Sequence, residues 1–112
     1  KFYGAELHSK EILIFMEFCG DQCTLEKLCM DQSGLPEQQV RDYTKSLLIA
    51  VEALHDRKIM HGDIKGANIF LKIIDPKHPE NVVLKLGDFG CSIKFKDPID
   101  SIHSNVKTTG FR

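Results

Sequence analysis

No stretch of this sequence is apolar for long enough to cross a bilayer, which takes about 20 residues as a helix. Internal repeats and low-complexity tracts are also missing. Charge is nearly balanced, at −1 overall, which argues against a nucleic-acid-binding or membrane-surface patch. The lysines are scattered among Asp and Glu and read as a mixed solvated surface. Cysteines are few. Cys19, Cys23, Cys29 and Cys91 lack the paired Cys-x-x-Cys spacing of common zinc sites, so reduced thiols and a cytoplasmic location are expected. The chain opens Lys1-Phe2-Tyr3-Gly4, without an initiator Met, a basic flank or a cleavage-like site. No secretory leader is expected, and the missing Met suggests processing or truncation. What is there suits a soluble globular protein: 42% hydrophobic and 28% charged over 112 residues, enough for one small domain or part of a larger one.

Patterning divides the chain into alternating elements. Phe2 to Leu7 is expected as a strand, with His8-Ser9-Lys10 as a turn. Ile12 to Met16 is a continuous apolar run, expected as a buried strand and broken by Gly20-Asp21. Thr24 is placed to N-cap a short helix through Met30, with Leu25 and Leu28 on one face. Pro36 suits the first position of a long helix, with Glu37 in its first turn. Val40, Tyr43, Leu47, Val51 and Leu54 recur at helical spacing, and Leu48, Ile49, Ala50 and Ala53 broaden that face beyond what one packing partner needs. Two further strands are expected, Ile69 to Lys72 and Val82 to Leu86, joined by a turn-rich loop from Asp75 to Asn81. From Ser92 onward periodicity is weak, and a mobile loop is expected.

Chemistry concentrates between His61 and Gly90. Asp63, Asn68 and Asp88 are hard oxygen donors, and Lys65 adds a positive charge among them. Such a set suits magnesium and a phosphate chain, because magnesium typically binds through one or two carboxylates plus substrate phosphates. A hairpin bringing Asn68 and Asp88 together would build that site. Taken singly, each of these residues is better read as an ordinary turn Asp or Asn.

Taken together, they match a known pattern. His61-Gly62-Asp63-Ile64-Lys65-Gly66-Ala67-Asn68 resembles the catalytic loop of protein kinases, H-R-D-x-K-x-x-N, and Asp88-Phe89-Gly90 resembles their DFG loop. The two motifs stand in order, separated by strand, turn and strand, behind a long helix. The resemblance implies an α+β, kinase-like fold in part. Residues 1–19 would be the last small-lobe strands and the hinge. Residues 20–112 would be a portion of the helical large lobe, truncated in or just after the activation segment.

It implies roles as well. Asp63 would be the catalytic base, Lys65 would neutralise the transferring phosphate, and Asn68 and Asp88 would hold Mg2+ beside ATP. Phe89 would pack under the small lobe with His61 beside it. Ile14 to Cys19 resembles the strand and hinge that cup adenine. Met16 would be the gatekeeper, the Glu17 carbonyl and Cys19 amide would face the base, and Phe70 would form its floor. A buried strand with Met filling space is the plainer account of that stretch taken alone. The loop Lys points to a serine/threonine kinase. Asn68-Ile69-Phe70-Leu71 and Gly87 to Ser92 look like the MEKK-type MAP kinase kinase kinases. The implied activity is phosphorylation of Ser or Thr on a protein substrate that is itself a MAP kinase kinase.

Departures from the pattern set the alternative. Gly62 replaces the Arg that in many kinases grips an activation-loop phosphate, and it frees the backbone beside the base. Gly-rich loop, strand Lys and A-P-E motif are missing, so the 112-residue chain alone is expected to be inactive and poorly folded. A pseudokinase or scaffold that keeps the fold without phosphate transfer is the competing reading, and the retained Asp63, Lys65, Asn68 and Asp88 weigh against it. Ser92, Ser101, Ser104, Thr108 and Thr109 are candidate phosphosites, with Thr108 and Thr109 best placed.

Overall fold

Antiparallel strand pairs and two helices are formed by the described residues. The computed structural model describes residues 1–20 and 23–95. In chain order these form β1 (Phe2–His8), β2 (Glu11–Met16), α1 (Leu25–Gln32), α2 (Glu37–His55), β3 (Ile59–Met60), a 3-10 turn (Gly66–Asn68), β4 (Ile69–Asp75), β5 (His78–Leu86) and β6 (Ile93–Lys94). Three two-stranded antiparallel sheets result: β1 with β2, β3 with β6, and β4 with β5.

The β1–β2 ribbon corrects one expectation. Its apolar run was expected to be buried, yet every residue of β2 is exposed, with Ile12 at 67% and Ile14 at 58%. A two-stranded ribbon buries a face only when another layer packs on it. Among the described residues no such layer covers β2.

Helix α1 follows its capping chemistry. The Thr24 hydroxyl accepts from the Lys27 amide at 3.3 Å. At the other end Ser33 adopts φ 53° and Gly34 φ 124°, turning the chain out of the helix. Pro36 stands one position earlier than expected. It is the N-cap of α2, and its carbonyl accepts the first helical bond, from Val40 at 3.0 Å. Tyr43, Leu47, Val51 and Leu54 are half-buried, whereas Val40, Leu48 and Ile49 are exposed. One side of the broad apolar surface is therefore packed, and the other stays uncovered among the described residues.

The β4–β5 hairpin holds the core. Ile69 pairs with Leu86 and Leu71 with Leu84, while Phe70 pairs with Lys85 and Lys72 with Val83. Alternation along a strand thus sends Ile69, Leu71, Leu84 and Leu86 to one face and Phe70, Lys72 and Lys85 to the other. Ile69 and Leu71 are the buried hydrophobic residues among those described, 3% and 7% exposed. Leu84 meets Leu25, Leu35, Tyr43 and Leu47 around a small apolar cavity where α1, α2 and β5 converge. The connection is tighter than the expected loop. Asp75 pairs with His78, leaving only Pro76-Lys77 between the strands, and the Asp75 carboxylate accepts from the Lys77 amide at 2.9 Å. That side-chain turn replaces the longer loop.

Pairing also overrides the expectation of a loop from Ser92. Ile93 lies opposite Met60 and Lys94 opposite Ile59, and the Phe95 amide donates to the Lys58 carbonyl at 2.8 Å. The β3–β6 ladder ties the stretch after Gly90 back to the segment that leads into His61. Ser101, Ser104, Thr108 and Thr109 lie outside the described residues.

Candidate active site

The loop from His61 to Asn68 is organised by two buried polar residues, His61 at 2% and Asn68 at 6% exposed. A buried polar side chain needs partners, and both have them. The Asp63 amide donates to His61 Nδ1 at 3.3 Å, which leaves Nε2 as the N–H that donates to the Gly87 carbonyl at 2.9 Å. One imidazole therefore joins the loop at Asp63 to the strand end before Asp88.

Asn68 does the second half of this work. Its Nδ2 donates to the Asp63 carbonyl and to Asp63 Oδ2, both at 2.9 Å. Lys65 Nζ reaches the same Oδ2 at 2.9 Å. The Lys65 ammonium holds the Asp63 carboxyl below the usual carboxylate range; partial burial opposes this and the Asn68 amide adds to it. Reciprocally, the Lys65 amine is pushed up by the hydrogen bond to Asp63 and by its charge, with Asp88 contributing from further away. Asp63 is thus an oriented carboxylate with one oxygen, Oδ1, left over among the described residues.

Asp88 arrives by way of the hairpin. Because Ile69 pairs with Leu86, the residues flanking the strands, Asn68 and Gly87, also meet: the Gly87 amide donates to the Asn68 carbonyl at 2.9 Å. Asp88 follows at φ 58°, a left-handed conformation uncommon for a non-glycine residue, and its Oδ1 accepts from the Gly90 amide at 3.2 Å. Phe89 is 46% exposed and its ring lies 4.9 Å from that of His61. Asp63, Lys65, Asn68 and Asp88 are therefore brought to one corner.

Asn68 Oδ1 is a buried carbonyl oxygen with no donor among the described residues, and Asp88 is an exposed carboxylate beside it in the fold. One amide oxygen and one carboxylate are a hard-donor set that fits a magnesium ion completing its shell with phosphate and water. No group of three His, Cys, Asp or Glu side chains gathers for a metal among the described residues.

Glycines supply the close approaches. A side chain at Gly66 would press on the backbone of Glu26 at 3.1 Å, which lets α1 sit against the 3-10 turn. At Gly87 an added Cβ would lie 2.7 Å from the Phe70 ring, and at Gly62 2.5 Å from the Cys91 carbonyl oxygen. Gly62 also has φ 81°. Gly62, expected to free the backbone beside the base, also allows close packing: its missing side chain lets the segment after Asp88-Phe89-Gly90 lie directly on the loop.

The remaining predicted residues belong to a neighbouring segment. Met16 ends β2 and is 66% exposed. Glu17 follows it, and its carboxylate bonds Lys72 of β4 and, at 2.6 Å, Lys85 of β5. Cys19 is half-buried, with its thiol 3.9 Å from the Glu17 carbonyl. Phe70 lies on the hairpin face that carries these two lysines, and Thr24 makes an isolated bridge with it. Lys72 and Lys85 were not singled out from sequence, and Gly87 only as the start of the stretch to Ser92. The signal for the lysines was the strand alternation that puts them on the Phe70 face.

A family model described as the protein kinase domain matches residues 1–112. The chain is 43% identical over 109 residues to the mitogen-activated protein kinase kinase kinase 4 of Mus musculus, covering 97% of this chain and 6% of that protein. The Homo sapiens protein of the same name is matched with the same identity and coverage. A third relative is the membrane-associated tyrosine- and threonine-specific cdc2-inhibitory kinase wee-1.3 of Caenorhabditis elegans, 39% identical over 100 residues, covering 89% of this chain and 13% of that protein. The chain spans only a small part of the length of these relatives. No helix among the described residues is long and apolar enough to cross a membrane. The α+β arrangement of hairpins and helices is part of the protein kinase fold, and the chain belongs to the protein kinase family and is similar to the MEKK-type MAP kinase kinase kinases.

Proposed function

We propose that the protein containing this chain transfers phosphate from ATP to Ser or Thr of a protein substrate, as an upstream kinase of a MAP kinase cascade acting in the cytoplasm on a MAP kinase kinase. Residues 1–19 are read as the end of the small lobe and the hinge, and residues 20–112 as a portion of the large lobe. The chief support is the carboxylate of Asp63, fixed by Asn68 and Lys65 on a loop that His61 joins to the strand end before Asp88.

Asp63 acts as the base. Its Oδ2 is occupied by two donors, so Oδ1 is the atom left to accept the substrate hydroxyl proton. A carboxylate held at low pKa is a weak base in the ground state. It takes the proton late, as the hydroxyl becomes acidic on bonding to phosphorus. Lys65, charged and half-exposed, neutralises the phosphate in flight. Asn68 Oδ1 and the Asp88 carboxylate would hold Mg2+, which when bound neutralises the phosphate chain. Met16 lines the back of the adenine site, the Glu17 carbonyl and Cys19 amide meet the base edge, and Phe70 lies beneath the ring.

Asp63→Asn in the full-length protein tests the assignment. Transfer to a protein substrate is expected to disappear while ATP binding remains. Persisting transfer would exclude Asp63 as the base. Nucleotide binding without transfer in the unmutated protein would favour a scaffold in place of an enzyme.

A further inference from the structure

The Glu17 side chain is engaged separately from the backbone groups proposed to face adenine. Its carboxylate is 12% exposed and takes hydrogen bonds from Lys72 Nζ on one strand and Lys85 Nζ, at 2.6 Å, on the other. Lysines from adjacent strands converge on one carboxylate only if they share a sheet face, and the register provides this. Lys85 lies opposite Phe70, and Lys72 is two residues beyond Phe70. The clamp therefore closes on the same hairpin face as the Phe70 ring.

A second tie holds the chain further on. The Leu71 amide donates to the Cys23 carbonyl at 2.8 Å, and Thr24 bridges Phe70. Phe18, Cys19 and Gly20 thus leave from an anchored residue, and the chain is anchored again at Cys23. An isolated surface ion pair would contribute little. This carboxylate is mostly withdrawn from water and shared by two ammonium groups, so removing it leaves two cations side by side without their counter-charge. Lys72, with the largest effect, and Lys85 hold the Glu17 carboxyl far below the usual carboxylate range, and Glu17 pushes the Lys72 amine up in return.

We propose that the Glu17 side chain, clamped between Lys72 and Lys85, is a positioning residue that fixes the adenine-reading segment at the height of the Phe70 floor. It rests on the nucleotide reading given above. A clamp of this kind acts on recognition of the base and leaves the phosphate end untouched, because Asp63, Lys65, Asn68 and Asp88 make no bond to it among the described residues.

The test compares ligands in the full-length protein. Dissociation constants for ATP, adenosine and inorganic tripolyphosphate, all with magnesium, are measured for the wild type and for Glu17→Gln. The expected result is a loss of about tenfold for ATP and for adenosine, roughly 1.4 kcal/mol each, with tripolyphosphate unchanged. Lys72→Met and Lys85→Met should each give part of that loss, and combining either with Glu17→Gln should add little further. Unchanged adenosine affinity in Glu17→Gln overturns the clamp alone. Equal losses for adenosine and tripolyphosphate overturn it too, as a general loss of structure. A wild type that binds neither ATP nor adenosine overturns the nucleotide reading and the clamp with it. Should Glu17→Gln fail to fold, Lys85→Met, which keeps the Lys72 pair, decides by the same contrast.

Discussion

Asn68 donates through one nitrogen to both the main-chain carbonyl and the side-chain carboxylate of Asp63, each at 2.9 Å. That fork fixes where the carboxylate points and closes the loop on itself. It also frees the amide oxygen of Asn68 for other work. One buried side chain thus orients the proposed base and carries the proposed metal donor.

Replacing Asn68 with Leu keeps the volume and removes both functions. The Asp63 carbonyl loses its donor in a largely buried setting, a deficit of about 1–3 kcal/mol. Chemical denaturation of the full-length protein should show a loss of that size. Phosphate transfer should fall by about 10²-fold or more, since the carboxylate is no longer held for proton transfer. Retained transfer with lowered stability would leave Asn68 as a structural residue only.

The contact of Gly62 with Cys91 makes a different prediction. With φ 81° and a neighbouring carbonyl oxygen 2.5 Å from any added Cβ, position 62 accepts no side chain without movement. Gly62→Ala should cost about 1–3 kcal/mol from backbone strain alone, read as a lower melting temperature. Gly62→Arg restores the usual kinase residue and should be at least as damaging. An Arg variant as stable as wild type would show that the close approach to Cys91 is not required.

How much of this was readable beforehand divides along local and non-local lines. Thr24 as a cap and the β4 and β5 strands follow from residue type and alternation, which act within a few positions. Asp63, Lys65, Asn68 and Asp88 were legible as a motif. The loop's real ties, His61 to Gly87 and Gly62 to Cys91, were not, because each joins residues some 26 to 29 positions apart with no periodic signal. The strand at Ile93–Lys94 was missed for the same reason: two residues show no pattern, and only Ile59–Met60 opposite them makes a strand. Composition misjudged β2, whose apolar run signals a need for cover and not the presence of it.

Gly87 and Phe70 form a testable pair. A methyl group at 87 would sit 2.7 Å from the Phe70 ring and push it off its position. If Phe70 is the floor under adenine, Gly87→Ala should weaken ATP binding by about tenfold, and Phe70→Leu should absorb much of that effect by making room. A double-mutant cycle on the ATP dissociation constant measures the coupling. Fully additive losses would mean that the two residues act separately.

Acid sensitivity follows from the Asp63–Lys65 pair. Lys65 lowers the carboxyl pKa of Asp63, so between the folded value and the ordinary one of about 3.9 the unfolded chain binds more protons than the folded chain. Stability from this pair is therefore complete above about pH 4 and is lost as pH falls through the depressed folded value. With Asp63 as the proposed base, the same depression is expected to set the acid limb of kcat/KM, where protonating Asp63 removes that base. Lys65→Met takes away the largest cause of the shift. Its acid limb should move up toward the ordinary Asp value, whereas Lys65→Arg should hold the limb near its wild-type position while lowering the plateau. Limbs that coincide in wild type and Lys65→Met would show that the titrating group behind the profile is not Asp63.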